Sequence, residues 1–234
     1  MASLIHPSSI VAPGASLGAE VRIGPFCTVG MAPQDLKYAG EPTEAEIGPR
    51  AVLREHVTVH RGTATGAGVT RVGADSLLMA VVHVAHDCAI GNGVVIANNV
   101  VMGGHVHIGD NAVIGGAAAI HQFVRIGRGA MIGGVSGVEA DVIPFGSVMG
   151  NRAWLAGLNV VGMRRRGYDR AQIHTFRAAF RTIFRGEGVF AERVEEARRS
   201  WADDALVAEM LAFIDAPSRR GLIRAAIEDE DDAA

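Results

Sequence analysis

The chain has little of what usually builds a protein core. Aromatic residues make up 5% of its 234 positions, with two tryptophans and two tyrosines. A core organised around large rings is therefore not expected. Two cysteines occur, Cys27 and Cys88, without the close spacing of a metal or redox pair. They exclude a disulfide framework, read as small buried apolar residues, and fit a reducing cytoplasm. No run of about 20 apolar residues is present, so no membrane-spanning helix is expected. Met1 to Ile10 has neither the basic start nor the apolar stretch of a secretory signal. Excess positive charge is also missing. A formal net charge of −3 implies no broad basic surface and argues against a general nucleic-acid binder.

Glycine is abundant: there are 30, close to twice its usual share of ~7%. The glycines accompany a repeat. From Val72 a large apolar residue returns at every sixth position, through Leu78, Val84, Ile90, Ile96, Met102, Ile108, Ile114, Ile120, Ile126 and Ile132 to Val138. A small residue often follows, as in Ile90-Gly91, Ile108-Gly109 and Ile126-Gly127. Neither a helix nor a two-residue alternation has this period. It reads as one short strand plus a corner, with three units to a coil. The same period runs through Val11, Leu17, Ile23 and Val29, and resumes at Ile47, Leu53 and Val59.

Two excursions interrupt the coils, near 31–46 and 61–71. The first holds Gln34-Asp35-Leu36-Lys37-Tyr38 and keeps the register of a whole coil. The second is rich in glycine and threonine and shifts the register by one. Loops that break a solenoid commonly carry function. A parallel β-helix is thus expected over 1–150 and a connector over 151–167, with three consecutive arginines at 164–166. An α-helical domain is expected over 168–227, followed by an acidic tail over 228–234. Asp169 is the expected N-cap of a helix whose apolar stripe is Ile173, Phe176, Phe180, Ile183 and Phe184. Bare coil stacks expose apolar ends and flat faces, so helical caps and a homo-oligomer are expected.

Five of the nine histidines fall between His83 and His121. The units beginning at Val84, Met102 and Ile120 are eighteen residues apart and should stack on one face; they carry His86, His105 and His121. At ~4.8 Å per rung, three imidazoles would lie within about 10 Å along one wall, with His83 just before the corner. Neutral imidazole suits a general base near pH 7, three histidines suit zinc, and a structural ladder needs neither. Composition does not choose among them. Asp87 adjoins His86, but neighbouring strand residues point to opposite faces, so their pairing requires a corner or a second subunit.

Several strings are narrower than the repeat. They are Ile5-His6-Pro7, the QDLKYAGEPT segment from Gln34 to Thr43, Thr58-Val59-His60-Arg61-Gly62-Thr63, Ala85-His86-Asp87-Cys88, Ala97-Asn98-Asn99 and Gly104-His105-Val106. Ala119-Ile120-His121-Gln122-Phe123, Arg165-Arg166-Gly167 and Arg220-Gly221-Leu222-Ile223-Arg224 complete them. On these residues, nearly the whole chain resembles the UDP-N-acetylglucosamine O-acyltransferases that begin lipid A synthesis in Gram-negative bacteria. The resemblance implies a mainly β, left-handed parallel β-helix with a C-terminal α-helical domain. That hand opposes the usual right-handed crossover. It also implies a cytoplasmic homotrimer with active sites between subunits, no cofactor, no metal and no membrane span.

The implied reaction moves an (R)-3-hydroxyacyl group from acyl carrier protein to the sugar 3-hydroxyl. Carried onto this chain, His86 is the general base and the Gly104 N–H stabilises the oxyanion. Gln34, Asp35 and Lys37 hold the sugar nucleotide, and His83, Asp87, His105, His121 and Gln122 line the cleft. Asn159, Arg165 and Arg166 reach the nucleotide, arginine being a permanently charged bidentate donor. Gly133 and Gly134 leave room for the acyl tail. The chain departs from the family pattern in lacking about two coils before Gln34, in Val161 where a glutamate is usual, and in Arg152 for a usual histidine. A paralogue acting on another sugar nucleotide, such as a 3-amino sugar, is the alternative.

Overall fold

The protein is described by a computed structural model over residues 3–225; the acidic stretch 228–234 lies outside the described residues. Each hexad forms a strand of two residues whose second side chain points inward, as at Leu77–Leu78, His83–Val84 and Ala89–Ile90. The inward residues are the period-six series, and from Val72 to Val138 none is more than 3% exposed. A second inward column lies two residues earlier, with Val82, Cys88, Val94, Val100, Val106, Ala112 and Ala118. Its members are small because three walls converge at each corner. Both cysteines sit in this column, buried and unpaired.

Within the coils, strands pair in parallel with those one coil later, as in Leu77 with Val95, His83 with Val101 and Ala89 with His107. Three faces result. Face I runs from Leu4–Ile5 to Gly146–Met149, face II from Ile10–Val11 to Gly137–Val138, and face III from Ala15–Leu17 to Arg125–Ile126. This is a left-handed parallel β-helix. Its corners impose a left-handed backbone at every sixth residue from Asp75 to Val135, at φ between 56° and 69°. Successive members of one corner lie a coil apart, so Asp87, His105 and Phe123 form one column.

Both excursions leave the prism at the corner between faces II and III, at 32–43 and 61–68. The turns 85–88, 103–106 and 121–124 stack beyond them on the same edge. The stretch 151–167, read from sequence as a plain connector, holds more structure than that. Trp154–Leu158 returns antiparallel on face I, and helix α1 spans Val160–Arg165. Helices α2 (Arg170–Arg185), α3 (Phe190–Ser200) and α4 (Ala205–Asp215) follow. Asp169 caps α2 through a reciprocal pair of bonds with Gln172. The Phe145 ring meets Tyr168 and Phe176 edge-on at 5.5 and 5.8 Å and joins the last coil to the helices. Past α4 the chain runs back along the prism, where Leu222 bridges Asp141 and Ala225 bridges Leu155. No helix among the described residues is long and apolar enough to cross a membrane.

Candidate active site

The edge between faces II and III carries a cleft of about 1110 Å³, lined by the 32–43 loop, the 61–68 loop and the stacked turns. At its base, the left-handed backbone of Asp87 turns its carboxylate back toward the preceding residue. His86 Nδ1 lies 2.8 Å from Asp87 Oδ2, and both side chains are buried. A corner therefore makes the pairing that an extended strand would forbid. Asp87 is itself fixed by the second excursion. It accepts from the Thr63 hydroxyl at 2.7 Å, the Thr63 N–H at 3.0 Å and the Gly68 N–H at 3.2 Å. Gly66 packs on the same carboxylate so closely that a Cβ there would lie 2.4 Å from Cγ.

Burial works to raise the Asp87 pKa, but the Thr63 bonds and the nearby histidines outweigh it and hold the group below the usual carboxylate value. The ionised carboxylate only accepts hydrogen bonds, so His86 donates from Nδ1 and Nε2 carries a free lone pair. That nitrogen lies over Gly104 in the next coil, where a Cβ would approach it to 2.7 Å. Only glycine leaves this gap. The Gly104 N–H donates to no described residue.

Further rings surround this pair. His105 meets His86 edge-on at 5.1 Å, with its Nε2 at 3.8 Å from Asp87, and Phe123 stacks on His105 at 4.6 Å. His60 contacts His83 edge-on at 4.9 Å, and His83 Nδ1 bonds the Thr58 hydroxyl at 2.7 Å. Burial lowers the pKa values of His83 and His105. For His60, burial reinforced by His83 and His86 lowers it to about 4. His60, His83 and His105 are thus poised to be neutral around pH 7. His86, Asp87 and His105 also bring three ligand atoms within 4.8 Å, a spacing that a metal ion could use. The Asp87 oxygens, however, are already filled by Thr63, Gly68 and His86, so the trio fits a hydrogen-bonded relay better.

Coil pairing revises the histidine wall read from sequence. His86, His105 and His121 lie on successive rungs but in three different columns. His86 shares its column with Gly104 and Gln122, and His105 shares its own with Asp87 and Phe123. His121 is exposed, turned to the Gln122 carbonyl at 3.2 Å, and outside the lining of the cleft. Counting in sixes found the rung but not the offset within it.

Comparison with known proteins agrees with this architecture. A model described as Udp N-acetylglucosamine O-acyltransferase, Domain 2, matches residues 141–223, and one for the bacterial transferase hexapeptide matches 70–104. An acyl-[acyl-carrier-protein]–UDP-N-acetylglucosamine O-acyltransferase of Paracoccus denitrificans is 46% identical over 199 residues, covering 85% of this chain and 75% of that protein. One of Rhizobium leguminosarum is 44% identical over 92% of this chain and 79% of its own length. The chain belongs to this acyltransferase family. Among solved structures, a UDP-N-acetylglucosamine acyltransferase from Bacteroides fragilis superposes with a TM-score of 0.92 at 35% identity, over 95% of this chain and 87% of that one. One from Campylobacter jejuni gives 0.84 at 34% identity, over 95% and 100%.

The family residues fall into three groups. Gln34, Asp35, Lys37, His83, His86, Gly104, His105 and Gln122 line the cleft, with Asp87 behind. Asn159, Arg165 and Arg166 line a separate cavity with Asn111, Val113, Met131 and Val161, on the side of face I. There Asn159 caps α1 by accepting from the Gly162 N–H, and Arg166 donates to the Asn111 and Gly162 carbonyls. Gly133 and Gly134 lie at the corner between faces I and II, also outside the cleft lining. Sequence reasoning missed His60, Thr63, Phe123 and Arg219. The Thr63 string was visible, but its contact with Asp87 crosses 24 positions of chain.

Proposed function

We propose that this chain transfers an (R)-3-hydroxyacyl group from acyl carrier protein to the 3-hydroxyl of UDP-N-acetylglucosamine, in lipid A biosynthesis in the cytoplasm. The carrying observation is the Asp87–His86 pair, which directs an unprotonated Nε2 into the cleft over a free backbone N–H at Gly104. The sugar hydroxyl gives its proton to His86 Nε2 as its oxygen attacks the thioester carbonyl. The oxyanion of the tetrahedral intermediate accepts from the Gly104 N–H. Collapse forms the ester, breaks the carbon–sulfur bond, and returns the proton from His86 to the departing thiolate. No metal or cofactor enters these steps.

Asn159, Arg165 and Arg166 lie in a different cavity of the same chain, so they serve this substrate from a neighbouring copy. A homotrimer with sites between subunits supplies that neighbour, as do the flat apolar faces, where Val101 is 48% exposed. In such an assembly, Gly133 and Gly134 border the acyl tail and His121 reaches the cleft mouth. His86→Ala should reduce kcat by at least ~100-fold while leaving the melting temperature and assembly unchanged. Retained turnover would refute the general-base role.

One observation favours a second acceptor. Val161 is 58% exposed beside Arg165, where an acid is usual in the family. Turnover with a 3-amino sugar nucleotide, and none with UDP-N-acetylglucosamine, would select that reading.

A further inference from the structure

The cleft contains a cation that the acyl-transfer scheme does not use. Arg219 lies on the segment returning from α4 and joins the cleft lining beside Phe123 and Gln122. Its guanidinium sits 4.4 Å from the centre of the Phe123 ring, which stacks in turn on His105. The column that begins at Asp87 therefore sets the position of the arginine. Arg219 makes no hydrogen bond or ion pair with any described residue, and its side chain is exposed. A guanidinium stacked by its face keeps its edge N–H groups free, and that edge matches a phosphate bidentately.

We propose that Arg219 grips a phosphate ester of a bound substrate. The inference rests on the function proposed above, in which both substrates carry such a group. The nucleotide sugar has a diphosphate, and the acyl carrier has the phosphodiester of its phosphopantetheine arm. Phe123 lies two coils beyond Asp87, about 10 Å at the rung spacing. Arg219 is thus too far to share the proton of His86, but suitably placed for an anion held at a spacer's length from the reacting carbonyl. The other formal charges lining the cleft are Asp35 and Lys37, both on the 32–43 loop. Arg219 contributes a permanent cation from a different element.

The test uses the full chain, Arg219→Gln and Arg219→Lys. Binding of UDP and of 4′-phosphopantetheine is measured separately by calorimetry, beside the KM of each substrate. Arg219→Gln should weaken one probe and raise the matching KM by about tenfold or more, with Arg219→Lys recovering part of the loss. Loss confined to UDP assigns the diphosphate, and loss confined to 4′-phosphopantetheine assigns the carrier arm. If Arg219→Gln binds both probes as the wild type does, or the wild type binds neither, the assignment is overturned. The binding arms need no turnover. A wild type that binds a probe through Arg219 but fails to transfer acyl groups would count against the proposed reaction alone.

Discussion

Asp87 receives hydrogen bonds from His86, Thr63 and Gly68, and Gly66 closes over it without a side chain. Its orientation of His86 therefore depends on the 61–68 loop. Gly66→Ala would drive a methyl into the carboxylate and displace the imidazole. We expect kcat to fall by about 100-fold with the fold intact, as monitored by circular dichroism and single-turnover kinetics. A rate near wild type would show that the loop does not govern the base. His60 makes a second residue-level prediction. Its folded pKa of about 4 lies below the ordinary 6.5, so the unfolded chain binds the extra proton first on acidification. Stability from this group is complete above pH 6.5 and is lost as pH falls toward 4. The loss is on the order of 3 kcal/mol. His83 and His105 shift in the same direction. Chemical denaturation across that range should give a flatter profile for His60→Leu than for wild type; parallel profiles would exclude the buried-imidazole account.

Among the elements, the hexads are self-consistent. A two-residue strand, a small corner residue and one left-handed position recur, and any single unit is replaceable in principle. The helices are different, because α2 must seat Phe176 against Phe145 of the last coil from a defined starting point. The capping box at Asp169 and Gln172 supplies that start, with bonds of 2.8 and 3.0 Å. Asp169→Ala should lower stability by about 1 kcal/mol, seen as a reduced melting temperature, while binding at the prism cleft persists. An unchanged melting temperature would mean that packing alone sets the helix boundary.

For the whole molecule, most of the family residues divide between two separated cavities, with His121, Gly133 and Gly134 in neither. In the proposed assembly, Asn159, Arg165 and Arg166 meet His86 across a subunit boundary. His86→Ala and Arg165→Ala proteins, each inactive as a homo-oligomer, should regain activity when unfolded together and reassembled, because mixed assemblies contain some sites built from two intact contributions. Absence of recovery, with mixing verified by mass spectrometry, would place each complete site within one chain. Analytical ultracentrifugation should show a trimer. The turns bearing His86, Gly104 and Phe123 all follow Gln34, so coils missing before that residue, as the family resemblance implies, would shorten the prism only on its N-terminal side.

The period of six was legible in the sequence because an inward residue must recur at every wall, and burial enforces it wherever the coil passes. Glycine frequency and the scarcity of aromatics pointed the same way, since narrow corners admit little else. The narrow strings around Gln34, His86 and His121 marked the family. The offset within each hexad was not legible, because it depends on which corner residue adopts the left-handed backbone, and sequence spacing alone does not report that. Pairing in space decided that Asp87 turns back to His86, that His121 stands apart, that Thr63 anchors Asp87 and that Arg219 joins the cleft from a distant part of the chain. Composition showed nine histidines. Only the stacking of coils made four of them, His60, His83, His86 and His105, one cluster.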